Sequence, residues 1–280
     1  MRAAFILGLV AQVCLSLARA DAPTDLKIRP VKGPTTVTLG DNLARLDVPA
    51  GYLFLNRDDA IHVLHRAGNP TDGSEIGLLH PATPESRAFI VIEHAPVGHV
   101  SDGDALDTGA LLSSITTAQA AQNEARKARG QPEITVAGWA EPPLYDKIAR
   151  RMTWAVKARA GKEELINART RILGRTGYLS FNLITDPAAF AHDKTVLSGV
   201  LAGTAYAPGQ RYEDFQPGRD RDSGKGLADL IVAGPGAPAE PGKLKNQALV
   251  AIQIVAGIGI LCVLLFGRFR RRTVWTPESR

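Results

Sequence analysis

Any catalytic or metal-binding chemistry in this chain has to come from 6 histidines, 28 acids and two cysteines. The cysteines are Cys14 and Cys262, each inside an apolar stretch at one end of the chain. The span between them holds no thiol, so it has no disulfide, no thiolate metal site and no cysteine nucleophile. The sequence contains no G-x-S-x-G elbow and no S-x-x-K serine site. H-E-x-x-H, C-x-x-C and the phosphate-cradling Walker loop are also missing. His62 and His65 are three apart on a predicted helix, and His94 and His99 lie near a strand end. Zinc needs three or four ligands converging from separate elements, and no spacing here matches such a signature. No metal ligand, cofactor or catalytic residue is therefore assigned. Glu93, Glu141 and Asp146 are the carboxylates available to the alternative reading, a carboxylate-dependent hydrolase or carbohydrate-active enzyme. That chemistry needs two carboxylates at a set separation.

A second group of residues points to binding. Residues 151–159 alternate, with Met152, Trp154, Val156 and Ala158 facing one way and Lys157 and Arg159 the other. In the following stretch Asn167, Arg169 and Arg171 alternate against Ile166, Ala168, Thr170 and Ile172. In the third, Ser180 and Asn182 alternate against Leu179, Phe181 and Leu183. Period two then predicts Lys157, Arg159, Asn167, Arg169, Arg171 and Asn182 along one side of a sheet. The plain and preferred reading of such a side is the solvated outer face that antiparallel sheets commonly present. The functional reading is a shallow cationic groove for an anionic ligand or a partner's acidic strand. Trp139, Glu141 and Pro142-Pro143 are expected to form a turn against the edge of this sheet.

The elements that must position these residues follow from periodicity and punctuation. Residues 35–39, 44–48 and 52–55 read as a short β-meander broken at Gly40-Asp41 and Pro49. Asn56 caps a helix over 58–67, and 76–79 and 88–93 are further strands. The longest helix is expected from about 107 to 129, with Leu111, Ile115, Ala118, Gln122 and Ala125 on one face and Gly130 as its stop. Strands over 134–139, 151–159, 165–173 and 178–184 form an antiparallel meander turning at Gly161-Lys162 and at 174–177. A helix over 190–202 closes the series. The fold class is α+β, a mainly antiparallel sheet with helices packed on one face. Three strands followed by a helix resemble the Mog1/PsbP arrangement.

The ends of the chain carry targeting signals. Arg2, the apolar run to Leu17 and Ala18-Arg19-Ala20 read as a signal peptide over 1–20. An extracytoplasmic domain over 21–215 is followed by a Pro/Gly-rich linker over 216–247. Within that linker Leu227, Leu230, Ile231 and Val232 suit a short helix against the domain or the membrane surface. Residues 248–266 carry no charge and would span about 28 Å as a helix, close to a bilayer core of roughly 30 Å. The tail 267–280 holds Arg268, Arg270, Arg271 and Arg272, so the C-terminus is expected in the cytoplasm and the domain outside. The bilayer is thus one partner, through 248–266, and an envelope protein is the other. The formal charge of +5 belongs to these ends: 24 of the 33 basic and 27 of the 28 acidic residues fall in 21–242. That span is mildly acidic, and nucleic acid is not an expected partner.

Four segments carry a family resemblance: 33–55 (GPTTVTLGDNLARLDVPAGYLFL), 136–146 (VAGWAEPPLYD), 167–183 (NARTRILGRTGYLSFNL) and 212–220 (YEDFQPGRD). They closely resemble the bacterial membrane-anchored proteins grouped as domain of unknown function 2167, over roughly 33–234. The resemblance implies a bacterial origin, an envelope location at the inner membrane, a signal and a C-terminal membrane helix. It brings no activity and no catalytic residue. The long linker is a departure from the family pattern.

Overall fold

The computed structural model describes residues 28–232, apart from Gly68, Pro70, Pro84, Glu85, Arg87, Arg129 and Gln131. The expected signal peptide, the linker from 233 onward, the apolar segment 248–266 and the basic tail lie outside the described residues. Among the described residues no helix is long and apolar enough to cross a membrane.

Eleven strands are present among the described residues: β1 (Val31–Lys32), β2 (Thr35–Leu39), β3 (Ala44–Val48), β4 (Tyr52–Asn56), β5 (Glu75–Pro81), β6 (Phe89–Ala95), β7 (Ile134–Asp146), β8 (Arg151–Ala160), β9 (Glu163–Gly174), β10 (Gly177–Thr185) and β11 (Thr204–Tyr206). The helices are α1 (Arg57–Arg66), α2 (Thr108–Ala128), α3 (Phe190–Ala202) and α4 (Leu227–Val232). Eight strands make one sheet in the order β1-β4-β5-β6-β10-β9-β8-β7, and β11-β3-β2 make a smaller one. Every ladder is antiparallel. The chain is an α+β domain dominated by antiparallel sheet.

Local chemistry explains the boundaries. The Asn56 side chain accepts the Asp59 amide at 3.0 Å, and Asp58 and Asp59 place negative charge in the first turn of α1. Asp107 accepts the amides of Gly109 and Ala110 at 3.0 Å each and opens α2. Two-residue turns at Gly161-Lys162 and Arg175-Thr176 join β8 to β9 and β9 to β10.

Both faces of the large sheet are covered. On one face α1 packs Ala60 and Leu64 against Leu78, Phe89 and Val91. Further along that face, α2 and α4 pack Leu111, Ile115, Leu230 and Ile231 against Met152, Trp154 and Val156. The opposite face presents Phe54, Leu79, Ile92, Ala168, Leu179, Phe181 and Leu183 to the small sheet and to α3. Helices therefore do not all share one face, because that second face is apolar along its length and needs its own cover. Leu197 and Leu201 of α3 supply part of it, at about 2 kcal/mol each for full burial.

Two further differences from the sequence reading have plain causes. β7 continues through Pro142-Pro143 to Asp146 instead of turning there. It is the edge strand, its register slips at three places, and proline's missing N–H is tolerated on an edge. Residues 216–232 pack onto the domain although their composition resembles a linker. Asp220 takes a two-pronged bond from Arg175 at 2.7 and 2.8 Å, and Leu227, Leu230 and Ile231 are buried.

Candidate functional site

Cross-strand register decides which side chains meet. Glu75 of β5 stands opposite Glu93 of β6, Glu93 opposite Ser180 of β10, Ser180 opposite Arg171 of β9, and Arg171 opposite Met152 of β8. The next row is Val91, Asn182, Arg169 and Trp154, and the one after is Phe89, Ile184, Asn167 and Val156. Directly opposed residues share a face, so these polar groups form one strip. The strip lies between the α1 cluster and the α2/α4 cluster, and it is buried.

The strip is neither an open groove nor a solvated face. Arg171 and Ser180 are fully buried, and Asn167, Asn182 and Arg169 nearly so. Of the predicted binding residues, Asn167, Arg169, Arg171 and Asn182 come together here. Lys157 and Arg159 do not. They stand opposite Ile166 and Glu164 on the other side of the pleat, both exposed, and Arg159 pairs with Glu164. The reason is register: Trp154 faces Arg169, so the apolar residues of β8 and the arginines of β9 point the same way.

Each charge in the strip has an identifiable environment. The Arg171 guanidinium sits 4.6 Å from the Tyr178 ring centre and 5.4 Å from that of Trp154, and it donates to the Tyr178 hydroxyl at 3.1 Å. Arg169 Nε donates to Asn167 Oδ1 at 2.8 Å. Asn182 Nδ2 donates to Glu93 Oε2 at 2.5 Å, while Glu93 Oε1 and Asn167 Nδ2 are buried without a bonding partner. Glu75 accepts the amides of Asp72 at 3.3 Å and Gly73 at 3.0 Å. Burial pushes the Glu93 carboxyl up to about 7, against the opposing pull of Arg169 and the Asn182 bond. Burial, helped by the neighbouring Arg171, pushes Arg169 down to about 10. A cavity of about 30 Å³ lies between α2 and the strip, bordered by Gln119, Asn167, Arg169, Trp154, Val156 and Ile231 among others.

A second cluster sits at the β7–β8 hairpin. Asp102 accepts from Tyr145 Oη at 3.0 Å and from Arg150. Burial alone would raise the Asp102 carboxyl, but the Tyr145 bond and the Arg150 charge outweigh it and hold it below the usual range. The Arg150 guanidinium lies 4.6 Å from the Tyr212 ring centre, and Tyr212 and Phe215 stack on the two sides of His99 at 4.3 and 3.8 Å. At the tip, Asp146 accepts the amides of Ile148 and Ala149 at 2.9 and 3.0 Å. This fixes a turn that leaves Ile148 97% and Leu144 68% exposed. Sequence reasoning missed this tip. Leu144, Asp146 and Ile148 after Pro142-Pro143 were the available signal.

The acids considered for hydrolysis are dispersed. Glu93 lies in the buried strip, Glu141 pairs with Lys194 on the α3 side, and Asp146 is occupied by the hairpin turn. Among the described residues no three His, Cys, Asp or Glu side chains are grouped to hold a metal ion.

A family model described as protein of unknown function (DUF2167) matches residues 31–267. No curated protein matches the sequence. Among solved structures, the cyanobacterial PsbP protein (CyanoP) of Synechocystis sp. PCC 6803 is similar at 9% identity and a TM-score of 0.38, over 62% of this chain and 92% of that one. The Ran-binding protein Mog1p of Saccharomyces cerevisiae is similar at 10% identity and a TM-score of 0.33, over 64% of this chain and 96% of that one.

Proposed function

We propose that this chain, which belongs to the DUF2167 family of proteins of unknown function, is a non-catalytic interaction module held at a bacterial inner membrane. In this reading 1–20 is a cleaved signal and 248–266 is a single membrane helix. The α+β domain, with a Mog1/PsbP-like arrangement of its strands and helices, stands on the extracytoplasmic side. The charge-free stretch of 19 residues followed by Arg268, Arg270, Arg271 and Arg272 supports this orientation.

The observation that carries the binding role is the hairpin tip. Scattered single apolar residues on a surface need no explanation. Leu144 and Ile148 differ because both are exposed at one hairpin end, Leu144 on β7 and Ile148 on the turn, and that end is held by Asp146 and the Asp102–Tyr145–Arg150 cluster. A pre-ordered apolar tip loses little conformational freedom on docking. Exposed Lys147 beside it suits an acidic protein partner. A carboxylate hydrolase gains no support, since Glu93 is buried in the strip, Glu141 pairs with Lys194 and Asp146 accepts the amides of the hairpin turn.

A photoreactive residue placed at Ile148 in the full-length chain, in its native membrane, tests the reading. A discrete adduct is expected from position 148, none from exposed Lys162 at the opposite end of β8, and none after Leu144→Ser. Absence of an adduct from 148 would overturn the interaction role. A periplasm-dependent reporter fused after Arg280 should be inactive, and activity there would reverse the orientation.

A further inference from the structure

Two amides line the cavity under α2, Gln119 from the helix and Asn167 from β9, and the groups they already meet fix which way each one points. The chain of reasoning starts at Asn123. Its Oδ1 accepts the Ile134 backbone N–H at 3.0 Å, and its Nδ2 donates to the Ile134 carbonyl at 2.8 Å. Gln119 bonds to that same Oδ1 at 3.2 Å, so the end of Gln119 that reaches it is the NH₂ group. The end left over is the Gln119 carbonyl oxygen, an acceptor. Asn167 is set the opposite way. Its Oδ1 takes the Arg169 Nε–H at 2.8 Å, and a guanidinium can only donate, so the end left over is the NH₂ group. That Nδ2 is buried without a bonding partner, and both residues are only 2% exposed.

One cavity is therefore bordered by a donor and an acceptor that want a shared partner. A buried donor left without an acceptor is costly, and such groups are normally met by protein or ordered water. Charge makes no demand on the occupant, because the Arg169 guanidinium is already faced by the Glu93 carboxyl. An anion could accept from Asn167 but has nothing to give Gln119. An apolar occupant answers neither. Water both accepts and donates. A volume of about 30 Å³ exceeds the roughly 10–15 Å³ that one water needs and excludes a metabolite.

We propose that this cavity is a binding site for structural water, which accepts from Asn167 Nδ2 and donates to Gln119 Oε1. The water completes a run of hydrogen bonds from the Ile134 backbone of β7, through Asn123 and Gln119 of α2, to Asn167 and Arg169 of β9. Linked bonds of this kind polarise and strengthen one another. The inner face of α2 is thus tied to the sheet by a solvent molecule as well as by Leu111 and Ile115.

The test uses crystals of the full-length chain grown from detergent. Wild type should show a water peak at about 2.7–3.2 Å from both Asn167 Nδ2 and Gln119 Oε1. Bromide soaks should leave no anomalous peak in the cavity, and neither should xenon pressure, which fills dry apolar voids. Gln119→Leu removes the acceptor and should lose the water. Should that variant fail to fold, the wild-type density still decides. Bromide or xenon in the wild-type cavity, no density there at all, or a water that stays in place in Gln119→Leu would overturn the proposal.

Discussion

Glu93→Gln isolates the consequence of burying a carboxyl in a sheet interior. Gln is nearly isosteric and keeps a carbonyl oxygen to accept the Asn182 amide, so the substitution removes charge and little else. In the folded chain the Glu93 carboxyl is pushed up to about 7 from an ordinary 4.5, chiefly by burial. The folded state therefore holds this proton more tightly than the unfolded state. The stabilisation it gives is complete below about 4.5 and is lost as pH rises through about 7. A difference of about 2.5 units corresponds to about 3 kcal/mol, without a solvent discount because the residue is fully buried. Urea unfolding of wild type and Glu93→Gln, followed by tryptophan fluorescence from pH 4.5 to 8, measures the quantity. Groups such as Asp220, whose carboxyl is held down by Arg175, are common to both proteins and cancel in the difference. Wild type should lose about 3 kcal/mol relative to the Gln protein across that range. Parallel pH curves would refute the reasoning.

Other perturbations probe different links. Arg171→Lys keeps the charge but loses the planar group set against Tyr178 and Trp154, and should cost about 2 kcal/mol in urea unfolding. Gly177→Ala would place a Cβ 1.9 Å from the Ala95 carbonyl oxygen, so the yield of folded protein should fall sharply, with a loss above about 3 kcal/mol. Ile148→Ser should change stability by less than about 0.5 kcal/mol in the same assay, since the side chain is 97% exposed. Asp102→Ala should cost about 1 kcal/mol and raise hydrogen exchange at 145–150, because Tyr145 and Arg150 lose their common acceptor.

The meander β8–β9–β10, the cap of α1 and the extents of α2 and α3 were legible because each depends on local chemistry. The face of each strand's residues was legible too. The relation between faces of adjacent strands depends on register, which period two within one strand does not supply. The turns did carry that information. A two-residue turn at Gly161-Lys162 closes on Ala160 opposite Glu163, which forces Trp154 opposite Arg169. The turn at Arg175-Thr176 likewise forces Asn182 opposite Arg169. Counting back from both would have put the arginines on the tryptophan side and separated them from Lys157 and Arg159. Burial of the strip was a different matter. It depends on α1, α2 and α4 arriving from distant parts of the chain, and no local pattern encodes their docking. The path of β7 through Pro142-Pro143 was hidden for a similar reason, since proline is acceptable only once the strand is known to be an edge.

The two ends of the large sheet have a bearing on crowding. Proteins tethered in one plane meet at far higher local concentration than in solution, and open sheet edges then invite strand-to-strand zippering between neighbours. This sheet offers little to zipper onto. One margin is the two-residue β1, and the other is β7, where two prolines remove donors and three register slips break the run of a flat edge. Under the membrane-anchored arrangement proposed above, these margins would let crowded copies stay apart without any covering subunit.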